Sequence, residues 1–187
     1  MLLITLTAGL LGATAPELKS GDIVLQASSS GISSTIQRAT SSIYSHVGLV
    51  QVTPAGAFVI EAIEPVSRTP FASWLKRGGG RFTLLRPHLD AAQLAATVAQ
   101  AATQLGKPYD SRYTWDDDKL YCSELVVKAF ERGAHLELGR KVRLDTLKLT
   151  GDEKAMAALM GVPLSQEVVP PGTLAEDPHL ERVYSDM

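Results

Sequence analysis

Short apolar runs, separated by polar breaks carrying glycine or proline, set the rhythm of this chain. Ile23-Val24-Leu25-Gln26 follows the turn Lys19-Ser20-Gly21-Asp22 and has the length and composition of a buried strand. His46 stands at the mouth of a second run, Val47-Gly48-Leu49-Val50-Gln51-Val52. Thr53-Pro54-Ala55-Gly56 reads as a hairpin turn into a third run, Ala57-Phe58-Val59-Ile60-Glu61-Ala62. Arg81 to Arg86 predicts a further strand.

Other stretches have helical spacing. After the polar loop from Ser28 to Ser34, Ile32, Ile36 and Ala39 share a face and predict a weak helix. Thr69-Pro70, a cap followed by proline at the first helical position, opens a short helix through Trp74 and Leu75 that Gly78-Gly79-Gly80 breaks. Asp90, with Gln93 three residues on, starts the clearest helix, Ala91 to Leu105, which Gly106 and Pro108 end. Leu125, Val126, Ala129 and Phe130 put one apolar face on a helix beginning near Cys122, with Gly133 as its stop. Arg140 to Leu149 reads as strand or loop and Asp152 to Met160 as a short helix. The last third is rich in turns, at Gly161, Pro163, Pro170-Pro171-Gly172 and Pro178.

Composition narrows the picture. With 187 residues, 45% hydrophobic and 20% charged, the chain is an ordinary globule with enough length for a real core. A net charge of -2 and the lack of a basic stripe exclude a general nucleic-acid binder. One cysteine excludes an internal disulfide and a multi-thiolate metal site. Met1 to Ala15 is an apolar, signal-like segment ending Gly12-Ala13-Thr14-Ala15, although no Lys or Arg precedes its apolar run. It is too short to span a bilayer comfortably, and it leaves export or a buried N-terminal element both open. No repeat or linker divides residues 16–187, which read as a single domain.

Chemistry concentrates around Cys122. A lone cysteine is more often a small buried hydrophobe than a catalyst. Here it opens a helix, where the N-terminal field favours a thiolate, the form that attacks carbonyls. Glu61 is an acid inside an apolar run and needs a partner there. His46 lies on the neighbouring predicted strand, within reach across the ladder. Glu64, before Pro65, is a rival for Glu61 at the more exposed strand end. Tyr109 and Tyr121 are both candidates for a phenolic oxyanion donor beside the Cys122 backbone N–H. Glu124 reads as a helix N-terminal stabiliser or a structural pair. Asp116-Asp117-Asp118 lacks the spaced oxygens and glycine of a calcium loop and reads as a solvated loop at a cleft rim. His88, His135 and His179 fall in surface or turn positions. No cofactor or metal is expected.

Several blocks in a fixed order give a more specific signal. Gly21 to Gln26, Tyr44-Ser45-His46-Val47-Gly48-Leu49-Val50, Val59-Ile60-Glu61-Ala62, Leu105-Gly106-Lys107-Pro108-Tyr109-Asp110 and Tyr121-Cys122-Ser123-Glu124-Leu125-Val126 together resemble the permuted papain-like branch of the NlpC/P60 cysteine hydrolases, the YiiX/YebB-like group. Pro170 to Val183 is similar to that family's C-terminal stretch. The resemblance implies an α+β fold, a small antiparallel sheet packed on helices, with His before Cys in chain order. It also implies roles: Cys122 the nucleophile, His46 base and then acid, Glu61 the group orienting the imidazole. The expected substrates are a peptidoglycan stem peptide, another short peptide or an N-acyl compound. Lipid acyl transfer or deacylation by the same triad and a non-catalytic envelope-binding module are the alternatives. Oligomeric state and compartment do not follow from these residues.

Overall fold

The computed structural model describes residues 16–27 and 31–187, the side chain of Ile32 excepted. The signal-like segment therefore lies outside the described residues. Among them, six strands form one antiparallel sheet in the order β4-β3-β2-β1-β5-β8. These are β1 (Ile23–Gln26), β2 (His46–Thr53), β3 (Gly56–Glu61), β4 (Ser67–Pro70), β5 (Thr83–Pro87) and β8 (Leu180–Ser185). Two short strands, β6 (Val142–Arg143) and β7 (Glu167–Val168), pair apart from it. The helices are α1 (Gly31–Thr40), α2 (Phe71–Arg77), α3 (Ala91–Ala102), α4 (Cys122–Ala134), α5 (Gly151–Leu159) and α6 (Pro171–Ala175). None is long and apolar enough to cross a membrane.

The apolar strand runs are explained by burial on both faces. Leu25, Leu49, Ile60 and Leu85 point into a core shared with Val98 and Ala101 of α3 and with Leu125, Val126, Ala129 and Phe130 of α4. Their neighbours Val24, Val50, Val59 and Leu84 point the other way, onto Trp74 of α2 and Phe82. Successive residues alternate faces, so a sheet covered on both sides needs apolar residues throughout its central strands.

The sequence expectations hold for β1, β2, β3 and α3, whose Asp90–Gln93 capping box is formed. Four details differ. The helix of residues 31–40 begins inside the stretch read as loop, and α3 stops at Ala102, three residues early. The short helix through Trp74 and Leu75 forms one residue later than expected: Pro70 ends β4 and is the N-cap of α2, while the Thr69 hydroxyl donates to the Glu61 carboxylate at 2.6 Å and is not free to cap. β8, an edge strand with a weak half-buried alternation, was not anticipated at all.

Gly133 is not a stop. The helix α4 runs through it, and His135 takes the left-handed conformation at φ 53°. Gly133 is instead where α4 crosses α3: a Cβ there would lie 2.4 Å from the Thr97 Cα. Helix propensity alone would make Gly133→Ala stabilising by up to ~1 kcal/mol. The backbone contact cannot be relieved by a rotamer change, so overpacking of about 1–3 kcal/mol wins. Urea denaturation of Gly133→Ala is expected to show a lower midpoint than wild type; a higher one would mean the crossing is looser than described.

Candidate active site

The site forms where the start of α4 meets the mouth of β2. Two features set the start of α4. Tyr121 is extended at φ -96° and ψ 170°, and Glu124 reaches back to accept its backbone N–H at 3.3 Å. Glu124 also pairs with Lys128 at 2.7 Å, so it does both jobs foreseen for it. Its carboxyl is buried and pushed up to about 7, a rise that Lys128 opposes. Cys122, 5% exposed, is the first residue of this helix.

His46 and Glu61 approach along a diagonal of the sheet. Leu49 pairs with Ile60, so Gly48 stands opposite Glu61 and His46 lies two residues earlier on the same face. A Cβ at Gly48 would lie 2.3 Å from a Val59 methyl and 3.4 Å from the Glu61 Cβ, so glycine keeps this diagonal open. The His46 Nε2 hydrogen-bonds Glu61 Oε2 at 2.6 Å. Cys122 also lies close enough to the imidazole to favour its protonated form. The structure thus brings Cys122, His46 and Glu61 into one chain of contacts.

Glu61 has no exposed surface, so its charge must be met inside the protein. Thr69 donates to Oε1 at 2.6 Å, and Nη2 of Arg77, the last residue of α2, lies 2.6 Å from Oε1 and 2.5 Å from Oε2. Neither partner was foreseen from the sequence. Arg77 reads there as an ordinary basic residue in a last helical turn, and only the packing of α2 against β3 brings it to the carboxylate. Glu64 is not the third member: its carboxylate accepts the Tyr109 backbone N–H at 2.9 Å.

The two tyrosines separate. The Tyr121 hydroxyl is committed to the backbone, accepting the Val169 N–H at 3.2 Å. Tyr109 hydrogen-bonds Tyr113, and both phenols sit within the electrostatic reach of Cys122. Burial first, then the charge of Cys122, holds both above the ordinary phenol range, so they remain protonated donors. Tyr113, at φ 56°, was overlooked in the sequence, and its loop is organised by buried Asp110, which accepts the Arg112 and Thr114 backbone N–H groups. Asp116 to Asp118 do not rim the cleft: Asp117 pairs with Lys128 at 3.1 Å and Arg132 at 2.7 Å, away from the sulfur.

A cavity of about 160 Å³ opens beside Cys122. Its walls are Ile36 and Ala39 of α1, the segment carrying Leu144, Leu147 and Leu149, and Val168 to Pro171. The last of these walls is held against the start of α4 by the Val169 carbonyl, which accepts the Ser123 hydroxyl. Among the described residues that line it, none is Asp, Glu, Lys or Arg.

Burial disfavours the His46 imidazolium, but hydrogen bonds and charge from Cys122 and Glu61 overcome it and push His46 up to about 9. Glu61 moves the other way, held below the usual carboxylate range because its His46, Thr69 and Arg77 partners outweigh burial. A raised histidine is protonated through neutrality and releases its proton only as pH climbs toward 9. Removing an anionic partner must lower that point. Followed by the ring C–H resonances in NMR, His46 is expected to titrate near pH 9 in wild type and at clearly lower pH in Glu61→Gln. An unmoved midpoint would mean the carboxylate does not act on the ring.

Comparison with known proteins places this geometry. The model of a permuted papain-like amidase family, YaeF/YiiX, C92, matches residues 17–184. The chain is 32% identical over 176 residues to the uncharacterized protein YiiX of Escherichia coli strain K12, covering 90% of this chain and 87% of that protein. It also matches the crystal structure of YiiX from Escherichia coli O157:H7 with a TM-score of 0.82 and 33% identity, covering 90% of this chain and 97% of that one. That structure is described as a metalloprotein. Among the described residues here, no group of three or more His, Cys, Asp and Glu is placed to hold a metal ion, and the Glu61 oxygens are taken by His46, Thr69 and Arg77. The match over nearly the whole described chain, together with the α+β sheet-and-helix order, shows that this protein belongs to the permuted papain-like amidases of the YaeF/YiiX family and is a cysteine hydrolase of amidase type.

Proposed function

We propose that the protein hydrolyses the amide of an N-acyl compound whose acyl group is apolar. Cys122 attacks the carbonyl, forming a C–S bond, and His46 gives its proton to the departing nitrogen, so that a neutral amine leaves. Water then attacks the thioester, His46 takes its proton, and the carboxylic acid departs as the thiolate–imidazolium pair is restored. Glu61 holds the imidazole by Nε2, leaving Nδ1 for the sulfur. The backbone N–H of Cys122 and the Tyr109–Tyr113 phenols are the donors for the oxyanion, where losing one donor costs about 2.7–4 kcal/mol of barrier.

The observation that carries this reading is the uncharged wall of the cavity next to Cys122. A peptidoglycan stem carries carboxylates and amines, and a site built for it offers a guanidinium, ammonium or carboxylate as partner. An apolar acyl chain needs only Ile36, Leu144, Leu147, Leu149 and Val168, and gains by leaving water. The stem-peptide substrate, first in the sequence expectation, is therefore set below the N-acyl one. Deacylation of lipids would use the same cavity and thioester, differing in the leaving group.

A series of N-acyl amides of increasing chain length separates these substrates. Each methylene buried contributes ~0.8 kcal/mol, so kcat/KM is expected to rise about fourfold per CH2 until the cavity is full. Leu147→Asp is expected to flatten the series, and muropeptides to turn over poorly throughout. Efficient cleavage of muropeptides with no chain-length dependence would overturn the reading. Product from phospholipid vesicles but none from any amide would move it to lipid deacylation.

A further inference from the structure

The hydrolytic cycle proposed above makes a demand on Glu61 that His46 alone cannot meet. While His46 is imidazolium, the buried carboxylate has a cation at 2.6 Å. Once His46 has given its proton to the leaving group, that cation is gone. A carboxylate with no exposed surface would then face an uncharged ring, a state strongly disfavoured in a buried site. The ring would tend to take a proton back and could no longer act as base toward water.

Arg77 is placed to prevent this. Its Nη2 touches both Glu61 oxygens at 2.6 and 2.5 Å, and its guanidinium stays charged at every working pH. Forty per cent of the side chain remains exposed, so the charge is not itself stranded in the interior. Its backbone is fixed as well. The adjoining Gly78 packs so closely on β1 that a Cβ there would lie 2.0 Å from the Gln26 Oε1, which pins the end of α2 beside the sheet. The other groups facing the pair are Cys122 from α4, the Thr69 hydroxyl from β4, and uncharged Gln26, the cross-strand partner of His46 on β1. Arg77 is thus the permanent cation in contact with the triad's acid.

We propose that Arg77 is a positioning residue for the general base: it keeps Glu61 ionised and aimed at Nε2 while His46 is neutral, so that the imidazole can act on water in the second half of the cycle. This rests on the hydrolase reading but makes a separate demand. Arg77 touches neither substrate nor sulfur, and the first attack begins from the imidazolium state, in which Glu61 already has its partner. The deacylation half should therefore suffer most when Arg77 is lost.

The test compares Arg77→Met and Arg77→Lys on an N-acyl amide, with each variant also built in a Glu61→Gln background. Arg77→Met is expected to lower kcat about 10–100-fold, the usual cost of losing a group that orients a ligand or base. KM should not rise, the acid limb of the pH–rate profile should move to higher pH, and mass spectrometry should find acyl groups held on Cys122. Arg77→Lys, which keeps the charge, should retain the wild-type acid limb. In the Glu61→Gln background the methionine substitution should cost little, because no carboxylate remains to be held. Wild-type rate and profile in Arg77→Met, equal losses in both backgrounds, or an Arg77→Lys variant as impaired as Arg77→Met would each overturn the proposal. If Arg77→Met does not fold, the lysine variant and its double mutant decide the matter on the same criteria. Absence of turnover in the wild type itself would instead count against the hydrolase reading and is scored separately.

Discussion

A carboxylate sealed inside a sheet is the constraint from which this site follows. Glu61 closes an apolar strand and has no exposed surface, so its charge must be answered from neighbouring elements. Those answers come from β2 through His46, from β4 through Thr69 and from α2 through Arg77. Three separate parts of the chain are thereby tied to one side chain. The ring that results is oriented by the fold itself, the preorganisation that the proposed general base needs.

The two faces of the sheet divide the work. On one, α2 packs through Trp74 and delivers Arg77 to the carboxylate. On the other, α3 and α4 pack tightly, with Gly133 allowing their close crossing. The thiol is therefore held by the helix-packing core, whereas the imidazole and acid are held by the sheet. They meet only at the sheet end, next to an apolar cavity whose far wall comes from the C-terminal stretch. The cavity wall and the His46–Glu61 pair are thus built from different layers of the fold.

What could be read from the residues follows from how local the signal is. The alternating and continuous apolar runs of β1 to β3, and the Asp90–Gln93 box of α3, are written in adjacent residues and were legible. Cys122, His46 and Glu61 were visible because each is anomalous where it stands: a sole thiol opening a helix, and an acid in an apolar strand near a histidine. Arg77 is unremarkable in its own segment and Thr69 reads there only as a helix cap; both gain their place at the carboxylate only by contact with β3. Tyr109 and Tyr121 show the same limit, since the Tyr121 phenol is taken by the Val169 backbone, nearly fifty residues further along the chain. Gly133 was misread as punctuation because a close helix crossing uses the same residue that usually marks a boundary.

The account stands on the contact between His46 and the thiol of Cys122. Its most direct measurement is the rate of iodoacetamide alkylation of Cys122 across pH in wild type and in His46→Ala. An imidazolium that persists to about pH 9 should make the wild-type sulfur react at least about tenfold faster than the variant near pH 6.5, with the two rates converging as the ring loses its proton. Superimposable profiles for the two proteins would mean that the ring does not act on the sulfur, and the hydrolase chemistry built on that contact would fall.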